Sequence, residues 1–288
     1  MHRNDTDHWI DARSFNTAAE RLRELYHSDT RVHIHLGGNP NTPTDILKIL
    51  ACDDNEGVRF FVAKNPSTPA NVLEILAQDD AKYAGKYVRG NVGLNPNAPV
   101  SLLELLAQDI EYDVRRSTAE NPNLPIALLR TLAQGKSSVV RGGVARNHNA
   151  PVELLKLLSS DECHYVRRAV AENPSTTADI LESLSHDRWY CTRTAVASNA
   201  NSSASTIEGL FRHISEFRSL VKNDLQGEVN NYVDPEIEFE QYENFVLAIA
   251  SNPNTPLHIL KILSCDSSPI LGKALRNCIA RNPAWNES

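Results

Sequence analysis

Residues 147–174 read NHNAPVELLKLLSSDECHYVRRAVAENP, a stretch framed by an Asn that recurs along the chain. A similar short sequence motif begins at nine Asn residues, most of which are followed by Pro: Asn39, Asn65, Asn95, Asn121, Asn147, Asn173, Asn199, Asn252 and Asn282. Five of the eight intervals are 26 residues long, two are 30, and one is 53, which is two 26-residue steps plus one. A fixed period of this length predicts stacked supersecondary units, forming an elongated array rather than a globule around one pocket.

Each unit carries two apolar patterns. Leu155 and Leu158, eight and eleven residues after Asn147, have counterparts in every interval and predict a short amphipathic helix that begins at Thr-Pro or Ala-Pro. Apolar, mostly β-branched residues seven and three positions before each Asn predict a second short helix. The Asn side chain is expected to bond nearby main chain in a tight turn. An Asp is expected to cap the second helix in most units: Asp53, Asp79, Asp109, Asp161, Asp187 and Asp266.

These units define the predicted fold class, an all-α solenoid of about eight 26-residue two-helix repeats. Residues 1–38 are predicted to form an N-terminal capping half-repeat, and residues 39–288 the repeat solenoid, with an acidic insertion at about 212–244. If the repeat alignment is right, the helix positions that face the core are almost fully buried: Leu129, Val140, Leu155 and Val166.

The repeat has a family resemblance. The string Asn-Pro-x-Thr-Pro…Leu-x-x-Leu-Ala-x-Asp…Val-Arg-x-x-Val-Ala-x-Asn-Pro resembles the leucine-rich repeat variant family over roughly residues 32–283, best in 65–96 and 147–174. The resemblance implies a right-handed superhelix in which an α-helix alternates with a shorter 3₁₀-type helix. The family's prototype carries a Cys-rich iron–sulfur segment at its N-terminus, but the first Cys here is Cys52, inside a repeat, so no cofactor is expected. HEAT and armadillo arrays are the nearest alternative folds, but their units of about 40 residues or more are longer than the 26-residue unit of this chain.

A basic row stands six residues before most of the Asn residues: Arg59, Arg89, Arg115, Arg141, Arg167, Arg193 and Arg276. Stacking would align these side chains along one side of the array. They are then either an anion ladder that contacts an acidic peptide or a phosphate backbone, or structural residues paired with an Asp or carbonyl of a neighbouring unit. The structural interpretation predicts that at least four of the seven contact a carboxylate or a backbone carbonyl.

The acidic insertion interrupts the regular spacing of the repeats between Asn199 and Asn252. Residues 211–223 would extend the first helix, and residues 226–244 hold six acidic residues and no basic one, a charge of −6 out of the chain's −7. Residues 235–240 alternate charged and apolar side chains, which predicts an edge strand or an extended docking segment. The insertion is either a solvated loop or a partner-binding segment. Its candidate contact residues are Glu236, Glu238, Phe239 and Glu240.

Little in the sequence indicates catalysis. There is no glycine-rich phosphate loop and no His-Glu-x-x-His motif, and His33 and His35 have no further ligand at metal-binding spacing, so neither catalytic nor metal residues are expected. Five Cys without close pairing suggest reduced thiols and a cytoplasmic protein, and no apolar run is long enough to cross a bilayer.

The expected function is therefore a non-catalytic cytoplasmic repeat scaffold that binds a protein or peptide partner. The alternative is a nucleic-acid-binding array that uses the Arg row, as HEAT-like DNA glycosylases use their concave surfaces; the pI of about 5.8 counts against it. At the C-terminal end, Leu271, Leu275 and Ile279 belong to the last layer. Either Trp285 folds back over them or the end forms a homodimer.

Overall fold

The computed structural model describes residues 5–81, 85–212, 235–265 and 271–286. Every regular element in this part of the chain is a helix, as predicted for an all-α repeat protein. The chain forms two compact units, residues 1–149 and residues 150–288. The predicted boundary at residue 38 is a division by repeat position, and it stays a prediction.

Two helices per repeat recur in both units. Residues 1–149 contain α1 (Asp5–Arg13), α2 (Ala19–Ser28), a 3₁₀ turn (Thr30–Val32), α3 (His33–Gly38), α4 (Thr44–Leu50), α5 (Glu56–Lys64), α6 (Ala70–Leu76), α7 (Gly85–Leu94), α8 (Val100–Leu106), α9 (Tyr112–Glu120), α10 (Ile126–Ala133) and α11 (Ser138–Arg146). Residues 150–288 contain α12 (Val152–Leu158), α13 (His164–Glu172), α14 (Ala178–Leu184), α15 (Tyr190–Ser198), α16 (204–212), α17 (Pro235–Ser251), α18 (Leu257–Ser264), α19 (Leu271–Arg281) and α20 (Pro283–Asn286).

The second helices form the packed interior of each unit. In residues 1–149 they pack in the order α1, α3, α5, α7, α9, α11, and in residues 150–288 in the order α13, α15, α17, α19, while the first helices lie against them. Close approach requires small residues two positions before the Asn: a Cβ on Gly93 would stand 2.5 Å from Thr118 Oγ1. The four predicted core residues, Leu129, Val140, Leu155 and Val166, are at most 3% exposed, which confirms the repeat alignment.

Within each compact unit, the recurring Asn joins a repeat to the one before it. Asn65 is buried, and its Nδ2 donates to Gly37 O and to Asn39 O, both at 2.8 Å, while its Oδ1 accepts from Ser67 N at 2.9 Å. The same two donated bonds are made by Asn39, Asn95, Asn121, Asn147, Asn199, Asn252 and Asn282. The predicted local turn is present, and the same side chain also fixes the stacking between repeats.

The hydrogen bonds that these Asn residues make between repeats, which we call the Asn ladder, show that the longest interval is one repeat. Asn252 Nδ2 donates to Ala197 O at 2.7 Å and to Asn199 O at 2.8 Å. Because these are the carbonyls that a directly following repeat would bond, the 53-residue interval is one repeat that carries an insertion, although its length is close to two 26-residue steps. The extra chain lies between the first helix, α16, and the second helix, α17.

The short first helices are α-helical, although the resemblance to the leucine-rich repeat variant family implies a 3₁₀-type helix in each repeat. In α4, Leu47 N donates to Pro43 O and Ala51 N to Leu47 O, which are i→i−4 bonds. Bonds of the 3₁₀ type are present where this helix begins and ends, as from Ile46 N to Pro43 O and from Cys52 N to Ile49 O. Thr30–Val32 is the 3₁₀ segment of the described residues.

The predicted capping Asp lies two residues before the cap. The N-cap of α13 is Cys163, and Asp161 Oδ1 accepts from Cys163 N at 2.8 Å; Asp187 binds Trp189 N in the same way before α15. The carboxylate therefore closes an Asx turn that leads into the helix. This position leaves its other oxygen available to a neighbouring repeat.

The predicted strand at residues 235–240 is wrong, because these residues begin the helix α17. Phe245, Val246 and Ile249 are buried at helical spacing, and packing on α15 makes the whole segment helical despite the two-residue alternation before it. Pro235 at the first helical position and acidic residues in the first turn also suit a helix start. The remainder of the acidic insertion, 213–234, and most of the predicted extension at 211–223 lie outside the described residues.

Both ends carry one helix more than predicted. Asn39 Nδ2 donates to Ala12 O and Ser14 O, so α1 stands where the second helix of a preceding repeat would stand. After the last Asn the short helix α20 follows and packs on α18 and α19. Leu271, Leu275 and Ile279 are buried and Trp285 is partly buried, so the chain itself covers these positions; the alternative of a homodimer at this end stays a prediction.

Candidate functional site

The Arg row is built into the repeat junctions through ion pairs. Three of its members pair with an Asp twenty residues later, in the next repeat: Arg59 Nε to Asp79 at 2.6 Å, Arg89 Nε to Asp109 at 2.7 Å, and Arg167 Nε to Asp187 at 2.5 Å. In each pair Nη2 reaches the second carboxylate oxygen. The Arg side chains are 12–17% exposed and the Asp side chains 4–10%. These guanidinium groups are thus committed to intramolecular carboxylates.

Two of these carboxylates, Asp109 and Asp187, are held in their charged form. Burial alone would raise the pKa of Asp109 and Asp187, but hydrogen bonds from the paired Arg and from a backbone N–H lower both pKa values below the ordinary value. The hydrogen bond to each Asp raises the pKa of its Arg partner, Arg59, Arg89 or Arg167.

The three Arg–Asp pairs, together with a fourth pair in which His replaces Arg, form what we call the Arg–Asp ladder, and each pair is one rung of it. His33 also stands six residues before an Asn, and its Nδ1 lies 3.0 Å from Asp53 Oδ2, twenty residues later. Its ring stacks on Tyr26 at a centroid distance of 4.9 Å. The sequence analysis considered only Arg at this repeat position and therefore missed His33. Its spacing of six residues before Asn39 is the same as that of the Arg residues and would have identified it.

Three other members of the row contact main-chain carbonyls. Arg115 Nη1 donates to Ile110 O at 2.9 Å, Arg141 Nη1 to Gly135 O at 2.9 Å, and Arg193 Nη1 to Asp187 O at 2.6 Å. Six of the seven Arg residues therefore contact a carboxylate or a carbonyl, which confirms the structural expectation of at least four. Arg276 is exposed on α19.

Arg193 differs from its counterparts at the Nε atom. This buried atom has no hydrogen-bond partner among the residues that the structure describes, and the guanidinium lies 5.3 Å from the centre of the Tyr190 ring. The residue twenty positions on is His213, outside the described residues. Burial raises the pKa of Tyr190 far above its ordinary value.

The candidate contact residues of the acidic insertion lie at the start of α17. Glu236, Glu238, Phe239 and Glu240 fall in its first two turns, and their side chains lie outside the described residues. Their role as partner contacts stays a prediction, as does that of the Arg row.

A groove of about 620 Å³ lies on the outward face of the second helices of residues 150–288. Its walls come from α13, α15 and the Asn244 position of α17. His164 stacks on Trp189 at 4.2 Å between ring centroids with the planes 19° apart. Tyr165 is 63% exposed and Trp189 42% exposed, so the rings present a large apolar surface to solvent.

The rim of this groove is polar. Arg168 Nε pairs with Glu172 Oε1 at 2.6 Å, and the Arg188 guanidinium lies 5.7 Å from the centre of the Trp189 ring. Ser198 and Thr194 add hydroxyl groups. An apolar floor with a hydrogen-bonding rim suits a segment of protein chain.

Residues 1–149 carry a smaller groove on equivalent helix faces. It has a volume of about 380 Å³, and Phe15, Ile34, Phe61 and Lys64 are among the residues that line it. Burial, with the charge of Arg13, lowers the pKa of His35 at its edge.

These grooves were not found by sequence reasoning, although a signal existed. Aromatic residues stand eight or nine positions before several Asn residues, one or two residues before the buried Val: Tyr87, Tyr112 and Tyr165. All three are largely exposed. Aromatic residues that recur next to a core position without entering the core indicate a contact surface.

Together these features define a helical repeat protein. No protein-family model matches the chain, and no curated protein matches it. Among solved structures it is similar to a leucine-rich repeat variant described as having a novel repetitive structural motif, with 24% identity over 77% of this chain and 79% of that one and a TM-score of 0.42. An engineered protein is 13% identical over 95% of this chain and 93% of its own, with a TM-score of 0.32. The fold assignment rests on the packing described above.

Two further observations concern the described residues. None of their helices combines the length and the apolar character that a membrane span needs. They also hold no cluster of three or more His, Cys, Asp or Glu placed to bind a metal ion.

Proposed function

We propose that this chain is a non-catalytic repeat scaffold that binds an extended segment of a protein partner. The observation that carries the proposal is the aromatic groove of residues 150–288. Tyr165 and Trp189 project from helices whose opposite faces already supply the core, for example through Val166 and Val170. Exposed, rigid aromatic side chains in a concave surface are the side chains that dominate binding energy at protein interfaces.

A protein partner is favoured over nucleic acid by the charges of the molecule. The net charge is −7, and the three paired guanidinium groups would have to leave buried carboxylates in order to meet phosphates. Breaking such a pair is costly, because a buried charge is left without its partner.

A reducing compartment such as the cytoplasm is part of the proposal. The five Cys residues are all free, including the exposed Cys52 and Cys265. Thiols persist in this form where glutathione and thioredoxin keep them reduced.

Peptides selected on the immobilised protein from a random display library would test the groove. We expect Trp189→Ala and Tyr165→Ala each to weaken a selected peptide by about tenfold or more, the effect of losing a binding hot spot. Leu157→Ala is the matched control, since Leu157 is 54% exposed on the first helix of the repeat that contains Tyr165.

Circular dichroism would verify that all three variants fold. Selected peptides that bind the two groove variants and wild type with equal affinity would show that the aromatic groove is not the binding surface.

A further inference from the structure

One rung of the Arg–Asp ladder in residues 1–149 lacks its carboxylate. Arg115 is anchored like the complete members of the row, with Nη1 donating to Asp109 O and Ile110 O, as Arg59 Nη1 donates to Asp53 O and Asp54 O. The residue twenty positions after Arg115 is Gly135, where the complete rungs have Asp. The guanidinium is therefore held in place while its expected partner side chain is missing.

The complete rungs show which groups hold the carboxylate. Asp109 receives Arg89 Nε at 2.7 Å, Arg89 Nη2 at 3.2 Å and the backbone N–H of Glu111 at 2.9 Å. Asp79 receives Arg59 Nε, Arg59 Nη2 and the N–H of Ala81 at 2.6, 3.4 and 3.0 Å. Each carboxylate is thus bound by three donors, two from the Arg and one from the main chain two residues later.

The same three donors are present at the incomplete rung. They are Arg115 Nε, Arg115 Nη2 and the N–H of Ser137. Ser137 has φ −82° and ψ 114°, close to the φ −81° and ψ 122° of Glu111, so the main chain before α11 keeps the conformation of a complete rung. Gly135 is partly exposed, which opens the position to solvent.

The charges nearby do not fill this position. Asp109 lies close enough to Arg115 to interact with its charge, but its oxygens are taken by Arg89 and by the N–H of Glu111. Asp113 pairs with Lys86 at 3.4 Å. Lys136, next to Gly135, is exposed and adds positive charge.

We propose that Arg115 and the N–H of Ser137 bind the carboxylate of an Asp or Glu side chain from the protein partner. This inference rests on the proposed function and makes the partner an acidic one. A carboxylate is favoured over a phosphate because the complete rungs bind a planar, two-oxygen group through the paired edge of the guanidinium.

The test is an NMR titration of the Arg Nε–Hε resonances with sodium acetate, with inorganic phosphate and with sodium chloride at equal ionic strength. We expect acetate to shift the Arg115 resonance in a saturable way and several-fold more than the resonances of Arg59 and Arg89, whose positions are filled. Phosphate is expected to shift it less than acetate does.

Gly135→Asp supplies the missing carboxylate from within the chain. A Cβ at Gly135 meets only Leu132 O, at 3.2 Å, and the residue has no positive φ, so the side chain fits with a small adjustment. We expect this variant to lose the acetate response of Arg115 and to unfold at a higher temperature. Gly135→Asn, similar in size and uncharged, is expected to raise the unfolding temperature less.

An Arg115 resonance that responds no more than that of Arg89, or that responds more strongly to phosphate, would overturn the inference. The wild-type titration decides this point even if Gly135→Asp fails to fold. These outcomes leave the proposed function standing, since groove binding is measured through Trp189 and Tyr165. Conversely, a failed peptide selection with a positive acetate response would overturn the proposed function.

Discussion

The buried Asn ladder and the Arg–Asp ladder both join successive repeats, but they tolerate change differently. Each Asn saturates two carbonyls and one N–H with a single short amide, a set of bonds that no other side chain provides in the same space. The Arg–Asp ladder accepts His33 in place of Arg and Gly135 in place of Asp. The Asn positions, which bond to buried main chain, are therefore repeated strictly. The partly exposed positions of the Arg–Asp ladder vary and can acquire functions.

The largest effect is expected at the centre of the Asn ladder. Asn121→Ala removes the donor to the buried Gly93 O, one of the two donors to Asn95 O, which also accepts from Ala98 N, and the acceptor of the part-buried Asn123 N–H. At about 1–3 kcal/mol for the unsatisfied Gly93 O and about 1 kcal/mol for each of the two other bonds, unfolding should become easier by about 3–5 kcal/mol. Urea denaturation measures this change, and a loss under about 1 kcal/mol would contradict the ladder's structural role.

The second effect is a cavity in the core. Leu155 is fully buried in α12, and Leu155→Ala should cost about 2–5 kcal/mol in the free energy of unfolding. Because neighbouring repeats support each other, we expect hydrogen exchange to increase in the adjacent helices α13 and α14 as well. Exposed Leu157 is the control, and its replacement by Ala should change stability little.

A smaller effect, dependent on pH, is expected at the Arg–Asp ladder. The folded pKa of Asp187 is lower than its unfolded value, so its contribution is present above the unfolded pKa and is lost as pH falls through the folded pKa. Asp187→Asn should therefore destabilise the protein at neutral pH and lose less stability than wild type on acidification below about pH 4. Urea midpoints across this range measure the difference, and exposed Glu74→Gln is the control. Parallel pH curves for wild type and Asp187→Asn would refute the assignment.

The smallest effect is expected at the exposed neighbour of the Asn ladder. Asn123 Nδ2 makes one exposed bond, to Pro96 O at 2.9 Å, in contrast to the buried set of Asn121. Asn123→Ala should cost no more than about 1 kcal/mol. If Asn123→Ala and Asn121→Ala destabilised the protein equally, burial would not be what distinguishes the two positions.

The core of the fold could be predicted from the sequence because each buried position recurs. Leu129, Val140, Leu155 and Val166 were placed correctly by their distance from the nearest Asn, with no knowledge of contacts. The position of Asp161 was misjudged by two residues, because an Asx turn before a helix and a true N-cap place the same residue types at the helix start.

What depends on contacts between repeats could not be read from the sequence. The amide of Asn65 bonds to carbonyls of the preceding repeat, and a carbonyl carries no sequence signature. Residues 235–240 alternate like a strand, yet packing of Phe245 and Ile249 on α15 makes the segment helical. The recurring exposed rings such as Tyr165 indicate a contact surface, but the sequence does not show that Trp189 lies beside Tyr165 and completes the groove.

The direct bond from Asn252 to Asn199 has a consequence for how such a chain can grow. The junction is made although residues 213–234 separate α16 from α17 in the sequence, and the entropic cost of closing a connection in general rises by only about 0.6 kcal/mol for each doubling of its length. New sequence can therefore enter between the helices of one repeat without shifting the register of the repeats on either side. The interval after residue 212 is accordingly a natural acceptor for grafted peptides or whole domains.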